Sequence, residues 1–305
     1  MRIVVTGANG QLGRYLVDHL EAAGLAVQAW SHEQAVQPLQ LDESSWTAVD
    51  ITNQGEVEKA LDETDPDIVF HLAAISSADA VFRNPTRGFA TNVEATRRLA
   101  DWCRGRCRRI ILTSTDLVFD GTGTFYREED EANPILLYGR TKLEAERAVL
   151  ETQSGLVARL SLLYGFARSN RLGFFDRAIS ALRQGNPQSF FEDEYRTPLD
   201  YGTASAILSR LALSSFNGLI HVAGPQRMSR WELMRTAAES LGLDPNLVHA
   251  NRRVDVTLPE PRPADVSLDT TRLLALYPEL EDATIQNALA QRNHSHPDNG
   301  GTVFP

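Results

Sequence analysis

The fold is decided by the stretch Arg2-Ile3-Val4-Val5-Thr6-Gly7-Ala8-Asn9-Gly10-Gln11-Leu12-Gly13. Its first half is a short β-branched run. Its second half is a glycine turn that leads into residues 11–23, where apolar side chains recur at helical spacing. In a strand, glycine turn and helix of this kind, backbone N–H groups and the helix dipole can meet a pyrophosphate. An ordinary strand-to-helix loop is the alternative interpretation.

The alternation of strand and helix continues along the chain. Further strands are predicted at residues 26–30, 48–50, 67–71, 109–113, 155–163 and 219–222. Further helices are predicted at residues 56–61, 91–102, 138–150, 204–213 and 230–241. The last of these begins with a capping box, because Ser229 is followed three residues later by Glu232. Such alternation predicts the α/β class, with a Rossmann-like, doubly wound parallel sheet and helices on both of its faces.

The regular alternation of strands and helices becomes less clear after residue 165, which predicts two domains. Residues 1–165 are expected to form a dinucleotide-binding domain, to which residues 198–223 return. Residues 166–197 and 224–292 are expected to form a smaller α/β substrate-binding domain. The remaining residues, 293–305, are polar and are expected to be a flexible tail.

Composition narrows the class of protein. The chain has 305 residues, enough for a sizeable core without disulfides, and its only cysteines are Cys103 and Cys107. Its 40 acidic and 30 basic residues give a net charge of −10, which disfavours nucleic-acid partners. No signal-peptide core fits after Arg2, and no run approaches the roughly 18 apolar residues of a membrane helix. A cytoplasmic protein with a small-molecule substrate is expected.

A second constellation carries the chemistry. Tyr138 and Lys142 lie one helical turn apart, and Ser114 and Thr115 end the fifth predicted strand. A phenol has a pKa near ~10, and a neighbouring ammonium that favours the phenolate makes it a usable proton donor near neutral pH. A hydroxyl of Thr115 or Ser114 would then polarise a substrate carbonyl. Tyr-x-x-x-Lys alone arises often by chance, but its combination with the glycine turn favours catalysis.

The sequence also bears on the choice of dinucleotide. The stretch Val49-Asp50-Ile51 is expected to end the third strand, where a carboxylate accepts from the adenine amino group, although Asp50 would also suit a helix N-terminus. NAD-specific folds have Asp or Glu at the end of the second strand, whereas this chain has Trp30-Ser31-His32. We therefore expect NADP(H) rather than NAD(H), with Ser31, His32 and Arg14 as partners of the 2′-phosphate. The alternative is that these are surface residues and that either cofactor binds.

Several motifs occur in the order seen in one family. They are Thr6–Gly13, His71-Leu72-Ala73-Ala74, Ser114–Gly121, Tyr138–Lys142, Arg159–Gly165, Arg196-Thr197-Pro198 and Arg262–Asp269. Up to about residue 290, the chain resembles an extended short-chain dehydrogenase/reductase of the dTDP-4-dehydrorhamnose reductase branch. It also looks like the regulatory β subunit of methionine adenosyltransferase, a relative of the same fold.

The resemblance implies a role for each matching residue. Tyr138 would donate the proton, Lys142 would hold the nicotinamide ribose and lower the tyrosine pKa, and Thr115 would steady the carbonyl oxygen. The residues that would line the dinucleotide, with Ser31, His32, Tyr138 and Lys142, are Gly7, Asn9, Gly10, Gln11, Leu12, Gly13, Asp50, Ile51, Leu72, Ala73 and Ala74. The implied reaction is reduction of a keto group on a nucleotide-activated sugar, without a metal, in a protein that could be a homodimer.

Two positions depart from the family's pattern. Leu117 and Leu162 stand where the rhamnose-forming enzymes usually have Tyr and Trp, so two aromatic groups expected near the sugar are missing. The identity of the sugar and of the nucleotide therefore stays open. Two other functions also stay open. One is an epimerase or dehydratase with tightly held NAD, and the other is a non-catalytic, NADP-binding regulatory subunit.

Overall fold

The computed structural model describes residues 1–32, 46–168 and 172–295, with side chains to residue 290. The strands are β1 (Arg2–Thr6), β2 (Ala26–Ser31), β3 (Trp46–Ala48), β4 (Ile68–His71), β5 (Arg109–Thr115), β6 (Gly155–Leu160), β7 (Leu163–Tyr164), β8 (Gln188–Phe191), β9 (Tyr195–Arg196), β10 (Leu199–Asp200), β11 (Gly218–Val222), β12 (Met228–Ser229) and β13 (Val248–Asn251). The helices are α1 (Gln11–Ala22), α2 (Gln54–Thr64), α3 (Ala78–Arg83), α4 (Pro85–Phe89), α5 (Ala95–Gly105), α6 (Leu137–Leu150), α7 (Phe174–Arg183), α8 (Tyr201–Leu213), α9 (Arg230–Ser240), α10 (Thr271–Leu276) and α11 (Ile285–Ser295).

Seven strands form one sheet in the order β11-β6-β5-β4-β1-β2-β3. Every neighbouring pair in it is parallel. The chain turns from one half of the sheet to the other at β1, which pairs with β2 on one side and with β4 on the other. This is the doubly wound α/β arrangement that the sequence predicts, and the fold class is confirmed.

Apolar side chains cover both faces of this sheet. Along β1, Ile3 and Val5 join a core that includes side chains of α1 and α8. Val4 points to the opposite face and joins a core that includes side chains of α2 and α5. Successive residues of a strand face opposite sides, so a continuous run of apolar residues is what a sheet buried on both faces requires.

A separate core lies outside the large sheet. Side chains of α7, α9 and α11, among them Phe175, Leu233 and Ile285, pack together with Val248 of β13. This cluster draws its residues from 162–190 and 228–289, and three two-stranded sheets, β7 with β10, β9 with β12 and β8 with β13, accompany it. Its separation from the two cores of the large sheet supports the two-domain division, which we keep as a proposal.

The structure differs from the sequence-based expectations mainly where elements are short. β3 ends at Ala48, so Asp50 lies in the following turn, and Asn53 rather than Asp50 caps α2. Residues 90–94 form a π-helical turn before α5. The sequence did not predict α3, α4, α7, α10 or α11. α3, α4 and α10 are only five or six residues long, too short for a helical period to stand out. α7, in contrast, has buried Phe175, Ala178, Ile179 and Leu182 at helical spacing, a pattern that the sequence analysis missed.

The C-terminal boundary also differs. α11 continues to Ser295, so Asn293 belongs to a helix and not to the start of a tail. The rest of the predicted tail, residues 296–305, lies outside the described residues. Within the described part of the chain, no helix combines the length and apolar character needed to cross a membrane.

Two buried histidines make the stability of this fold depend on pH. Burial lowers the pKa of His71 to about 3, with a further lowering by the charge of Lys142. Burial, followed by the charge of Arg159, lowers the pKa of His221 to about 3 as well. In an unfolded chain a histidine titrates near ~6.5, so the unfolded state binds more protons below that pH. The stability is therefore complete above that value and is lost as the pH falls toward 3.

We predict that His221→Asn reduces this loss. Between pH 7 and pH 5, the variant should lose about 2 kcal/mol less unfolding free energy than the wild type, from 1.36 kcal/mol per pKa unit. Urea denaturation at the two pH values measures this difference. His249→Asn is the matched control, because His249 is exposed. An unchanged pH dependence in His221→Asn would contradict the prediction.

Candidate functional site

A cleft of about 940 Å³ opens at the carboxyl ends of β1, β2, β4 and β5. Its volume lies within the range of small-molecule sites. It is lined by the residues that the sequence analysis predicted for cofactor or catalysis, with the exception of Arg14, namely Gly7, Asn9, Gly10, Gln11, Leu12, Gly13, Ser31, His32, Asp50, Ile51, Leu72, Ala73, Ala74, Thr115, Tyr138 and Lys142. The fold thus brings these residues together, while their individual roles stay predictions.

The glycines of the turn after β1 are required for different structural reasons. Gly7 has a positive φ of 67°, and a Cβ there would lie 2.7 Å from the backbone nitrogen of Ala73. A Cβ on Gly13 would lie 2.4 Å from the carbonyl oxygen of Gly7. Both glycines are therefore required for the chain to pack against itself.

No comparably close backbone contact within the described part of the protein requires glycine at position 10. Its backbone is extended, and the nearest atom to an added Cβ is the Gly7 carbonyl oxygen at 3.1 Å. Gly10 is also the N-cap of α1, and no side chain caps the helix there. An uncapped helix N-terminus with no Cβ in front of it suits a pyrophosphate, so this part of the cleft fits a dinucleotide.

The end of β2 carries no carboxylate of its own. His32 is exposed, and its Nδ1 lies 3.8 Å from Oδ1 of Asp50. The Asp50 carboxylate accepts from the Thr52 hydroxyl at 2.7 Å and from the Thr52 N–H at 2.9 Å, and these bonds hold its pKa below the usual value. Arg14 does not line the cleft. Its guanidinium packs 4.4 Å from the Trp46 ring and donates to Asn9, so its expected contact with a 2′-phosphate stays a prediction.

His71 fixes the loop that follows β4. The Thr6 hydroxyl accepts from the N–H of Ala73 at 3.1 Å and lies 2.8 Å from Nδ1 of His71. On the other side, Nε2 of His71 lies 2.9 Å from the hydroxyl of Thr96, which itself donates to a backbone carbonyl. A neutral ring that accepts at Nδ1 and donates at Nε2 satisfies both contacts. His71 is therefore a hydrogen-bonded core histidine, and through Thr6 it helps to hold Ala73 at the cleft.

Tyr138 is buried at the beginning of α6. Burial raises the pKa of its phenol to about 12, and the Asp116 carboxylate raises it further. A hydrogen bond with Thr115 and the charge of Arg196 act in the opposite direction. Arg196 is thus a cation near Tyr138 that the sequence analysis did not identify, and the expected effect of Lys142 on the phenol stays a prediction. At neutral pH the phenol therefore carries its proton and can act only as an acid.

The Asp116–Arg196 ion pair is the main feature that the sequence analysis missed. Both side chains are buried and line the cleft, and their charged groups are in direct contact. The other carboxylate oxygen of Asp116 accepts from the Ser161 hydroxyl at 2.7 Å. Ser161 also accepts from the N–H of Thr197 at 3.1 Å, which places Arg196 beside Tyr138. The family motif Arg196-Thr197-Pro198 was the available signal in the sequence, but the resemblance assigned no role to Arg196.

Two further arginines line the same part of the cleft. Arg230 lies 3.8 Å from Glu194, and its guanidinium packs 5.3 Å from the Phe174 ring. Arg262 donates to Asp79 at 2.8 Å. With Arg196, these residues bring three guanidinium groups to the lining of the cleft, each of them close to a carboxylate.

The missing aromatic groups are replaced from other elements. Leu117 and Leu162 both line the cleft, as do Phe174 at the start of α7 and Tyr201 at the start of α8. Tyr201 stacks on Tyr15 with ring centroids 5.5 Å apart. The cleft therefore has an aromatic wall, but not at the positions that the family pattern suggests.

Comparison with known proteins gives a consistent result. The RmlD substrate binding domain family matches residues 1–292. The probable low-salt glycan biosynthesis reductase Agl14 of Haloferax volcanii is 35% identical over 292 residues, which cover 92% of this chain and 95% of that protein. Methionine adenosyltransferase 2 subunit beta of Bos taurus is 28% identical over 285 residues, with coverage of 90% and 82%.

A solved structure shows the same fold. The crystal structure of dTDP-4-dehydrorhamnose reductase from Bacillus anthracis in complex with NADP superposes with a TM-score of 0.84. The identity is 22%, and the match covers 97% of this chain and 99% of that one. Because the family match extends over nearly the whole chain and a relative of similar length reaches 35% identity, the chain belongs to the RmlD substrate-binding domain family.

Proposed function

We propose that this protein is an NADP(H)-dependent reductase of a keto group on a nucleotide-activated sugar. The observation that carries the proposal is the position of Tyr138, Thr115 and Lys142 in the same cleft as the glycine turn at the N-terminus of α1. Membership of the family and the similarity to a protein named as a glycan biosynthesis reductase support it. The NADP complex of a protein with the same fold supports the cofactor.

The residues of the cleft divide the chemistry between them. The uncapped start of α1 and Gly10 would hold the pyrophosphate, and Lys142 would hold the nicotinamide ribose. The bound cofactor supplies a hydride to the carbonyl carbon. Thr115 orients the carbonyl oxygen by hydrogen bonding, and Tyr138 gives that oxygen its phenolic proton. Burial of the phenol keeps water away from this proton transfer.

Three guanidinium groups in the lining of the cleft favour a nucleotide-activated substrate. They belong to Arg196, Arg230 and Arg262. Guanidinium groups bind phosphate oxygens in a bidentate manner, so the diphosphate of such a substrate would suit them. The aromatic wall of Phe174 and Tyr201 suits the flat face of a base or the apolar face of a sugar ring. A cytoplasmic location and a homodimer complete the proposal.

A non-catalytic cofactor-binding subunit is the second candidate. The similarity to methionine adenosyltransferase 2 subunit beta over 90% of the chain favours it. The complete set of Tyr138, Lys142 and Thr115 favours the reductase. A screen for NADPH oxidation across nucleotide-linked 4-keto sugars distinguishes the two, because only the reductase consumes the cofactor. Tight NADPH binding without turnover on any of them would favour the second candidate.

Gly10→Val tests the pyrophosphate site. The added side chain meets little protein, so the fold should remain, but it would occupy the space in front of the α1 N-terminus. NADPH binding should be abolished in calorimetric titration, with little change in the melting temperature. Gly105→Ala is the control, because a Cβ there has no neighbour within 4 Å. Wild-type affinity in Gly10→Val would show that the pyrophosphate binds elsewhere.

The choice of cofactor is tested at the end of β2. The wild type should bind NADPH at least as tightly as NADH, because Ser31 and His32 bring no carboxylate to the ribose. His32→Asp should weaken NADPH binding by about tenfold, equivalent to about 1.4 kcal/mol, and NADH binding much less. His32→Asn serves as the neutral control. A strong preference of the wild type for NADH in the same titrations would overturn the argument.

Tyr138→Phe tests the proton donor. Only the hydroxyl is lost, so kcat should fall about 10²–10⁴-fold while NADPH affinity and thermal stability change little. Steady-state NADPH oxidation and calorimetry measure the two effects. Tyr126→Phe is a useful control, because Tyr126 lies outside the cleft lining and its hydroxyl contacts Asp120. A near wild-type kcat in Tyr138→Phe would remove Tyr138 from the mechanism.

A further inference from the structure

Glu146 is a buried carboxylate that the proposed reaction does not use. It lies on α6 one helical turn beyond Lys142, and only 1% of it is exposed. Residues at this spacing are neighbours on one face of a helix. Lys142 is itself 3% exposed, so both charged groups are placed where charge is costly.

Two other elements hold the Glu146 carboxylate in place. Arg159 of β6 donates from Nη2 to Oε2 at 2.8 Å and from Nε to Oε1 at 3.1 Å. The hydroxyl of Ser114, near the end of β5, also donates to Oε1. The Arg159 guanidinium packs 5.0 Å from the Phe119 ring. Both oxygens of Glu146 are therefore fixed by these donor contacts.

A structural role alone accounts poorly for this arrangement. Buried ion pairs add little stability over apolar side chains of the same volume, because desolvation offsets the attraction. Lys142, Glu146 and Arg159 together carry two positive charges and one negative charge. Without Glu146, two buried cations would remain. Arginine does not give up its proton in proteins, so the group that would become neutral is Lys142.

The other groups around Lys142 do not replace the carboxylate. His71 at the end of β4 is neutral, and its pKa is lowered in part by the charge of Lys142. Tyr138 on α6 keeps its proton, because its pKa is raised to about 12. Burial lowers the pKa of Lys142 to about 8, and Glu146 acts against this lowering. The ammonium is therefore close to losing its charge at physiological pH.

We propose that Glu146 is a positioning residue that keeps the Lys142 ammonium charged in the cleft, and that Arg159 and Ser114 hold the Glu146 carboxylate in place for this purpose. The consequence for catalysis rests on the proposed function, in which Lys142 holds the nicotinamide ribose. The electrostatic effect itself requires neither cofactor nor substrate.

The composition of the chain makes a direct measurement possible. Lys59 and Lys142 are its only lysines. Labelling with [6-¹³C]lysine therefore gives two side-chain NMR signals, and the exposed Lys59 serves as an internal reference. The titration of the second signal reports the charge of Lys142 in the free protein. A failure of this test is thus distinguishable from a failure of the proposed reaction.

Glu146→Gln should lower the titration midpoint of Lys142 by about one pH unit or more, the size of shift that an opposite charge at short range produces. Glu144→Gln is the matched control, because Glu144 lies on the same helix but pairs with Arg147 at the surface. Its Lys142 midpoint should equal that of the wild type. An unchanged midpoint in Glu146→Gln would overturn the proposal.

The double variant Glu146→Gln/Arg159→Met guards against misfolding, because it removes the buried charges as a pair. It should also lower the Lys142 midpoint, because Glu146 raises the pKa of Lys142 from the same face of α6, whereas Arg159 is not among the groups that shift it. An unchanged midpoint would again overturn the proposal. In calorimetric titrations, NADPH affinity of Glu146→Gln should decline at lower pH than in the wild type and recover on acidification. A purely structural defect would lower affinity equally at every pH.

Discussion

The parallel pairing of β1 with both β2 and β4 is the constraint on which the site depends. The strand order reverses at β1, so the connections on its two sides diverge and leave a crevice at the carboxyl ends of the strands. Most of the predicted cofactor residues border that crevice because they lie at the end of a strand or at the start of the helix that follows it. The apolar run Ile3-Val4-Val5, divided between two cores, keeps this pairing in register.

Burial is the second physical factor that shapes the site. It raises the pKa of Tyr138, lowers that of Lys142 and keeps His71 neutral. For Tyr138 and Lys142, a charged partner acts against the pKa shift that burial causes. Arg196 is held beside Tyr138 by Asp116, and Glu146 is held beside Lys142 by Arg159. Two separate buried ion pairs thus lie near the phenol and the ammonium. One joins Asp116, in the turn after β5, to Arg196 of β9, and the other joins Glu146 of α6 to Arg159 of β6.

The family supplies a fold and a set of chemical groups, whereas part of the cleft lining defines what is particular to this chain. Leu117 and Leu162 remove two aromatic groups, and Phe174 and Tyr201 provide others from α7 and α8. Arg230 begins α9 and lies close to Phe174. The substrate end is therefore built from the segments after residue 165, where the strand and helix pattern is weakest, so its shape follows from packing between short elements.

The doubly wound sheet, the glycine turn and the spacing of Tyr138 and Lys142 on one helix could be predicted from the sequence, because each depends on local periodicity or on spacing within one element. The sequence also predicted Asp50 at the end of the third strand, whereas β3 stops at Ala48 and Asp50 lines the cleft from the following turn. Only the tertiary structure decided that Arg14 packs on Trp46, that Arg196 is the cation beside Tyr138, and that Glu146 contacts Arg159. These contacts join residues far apart in the chain, and their energies depend on burial, which no local pattern records.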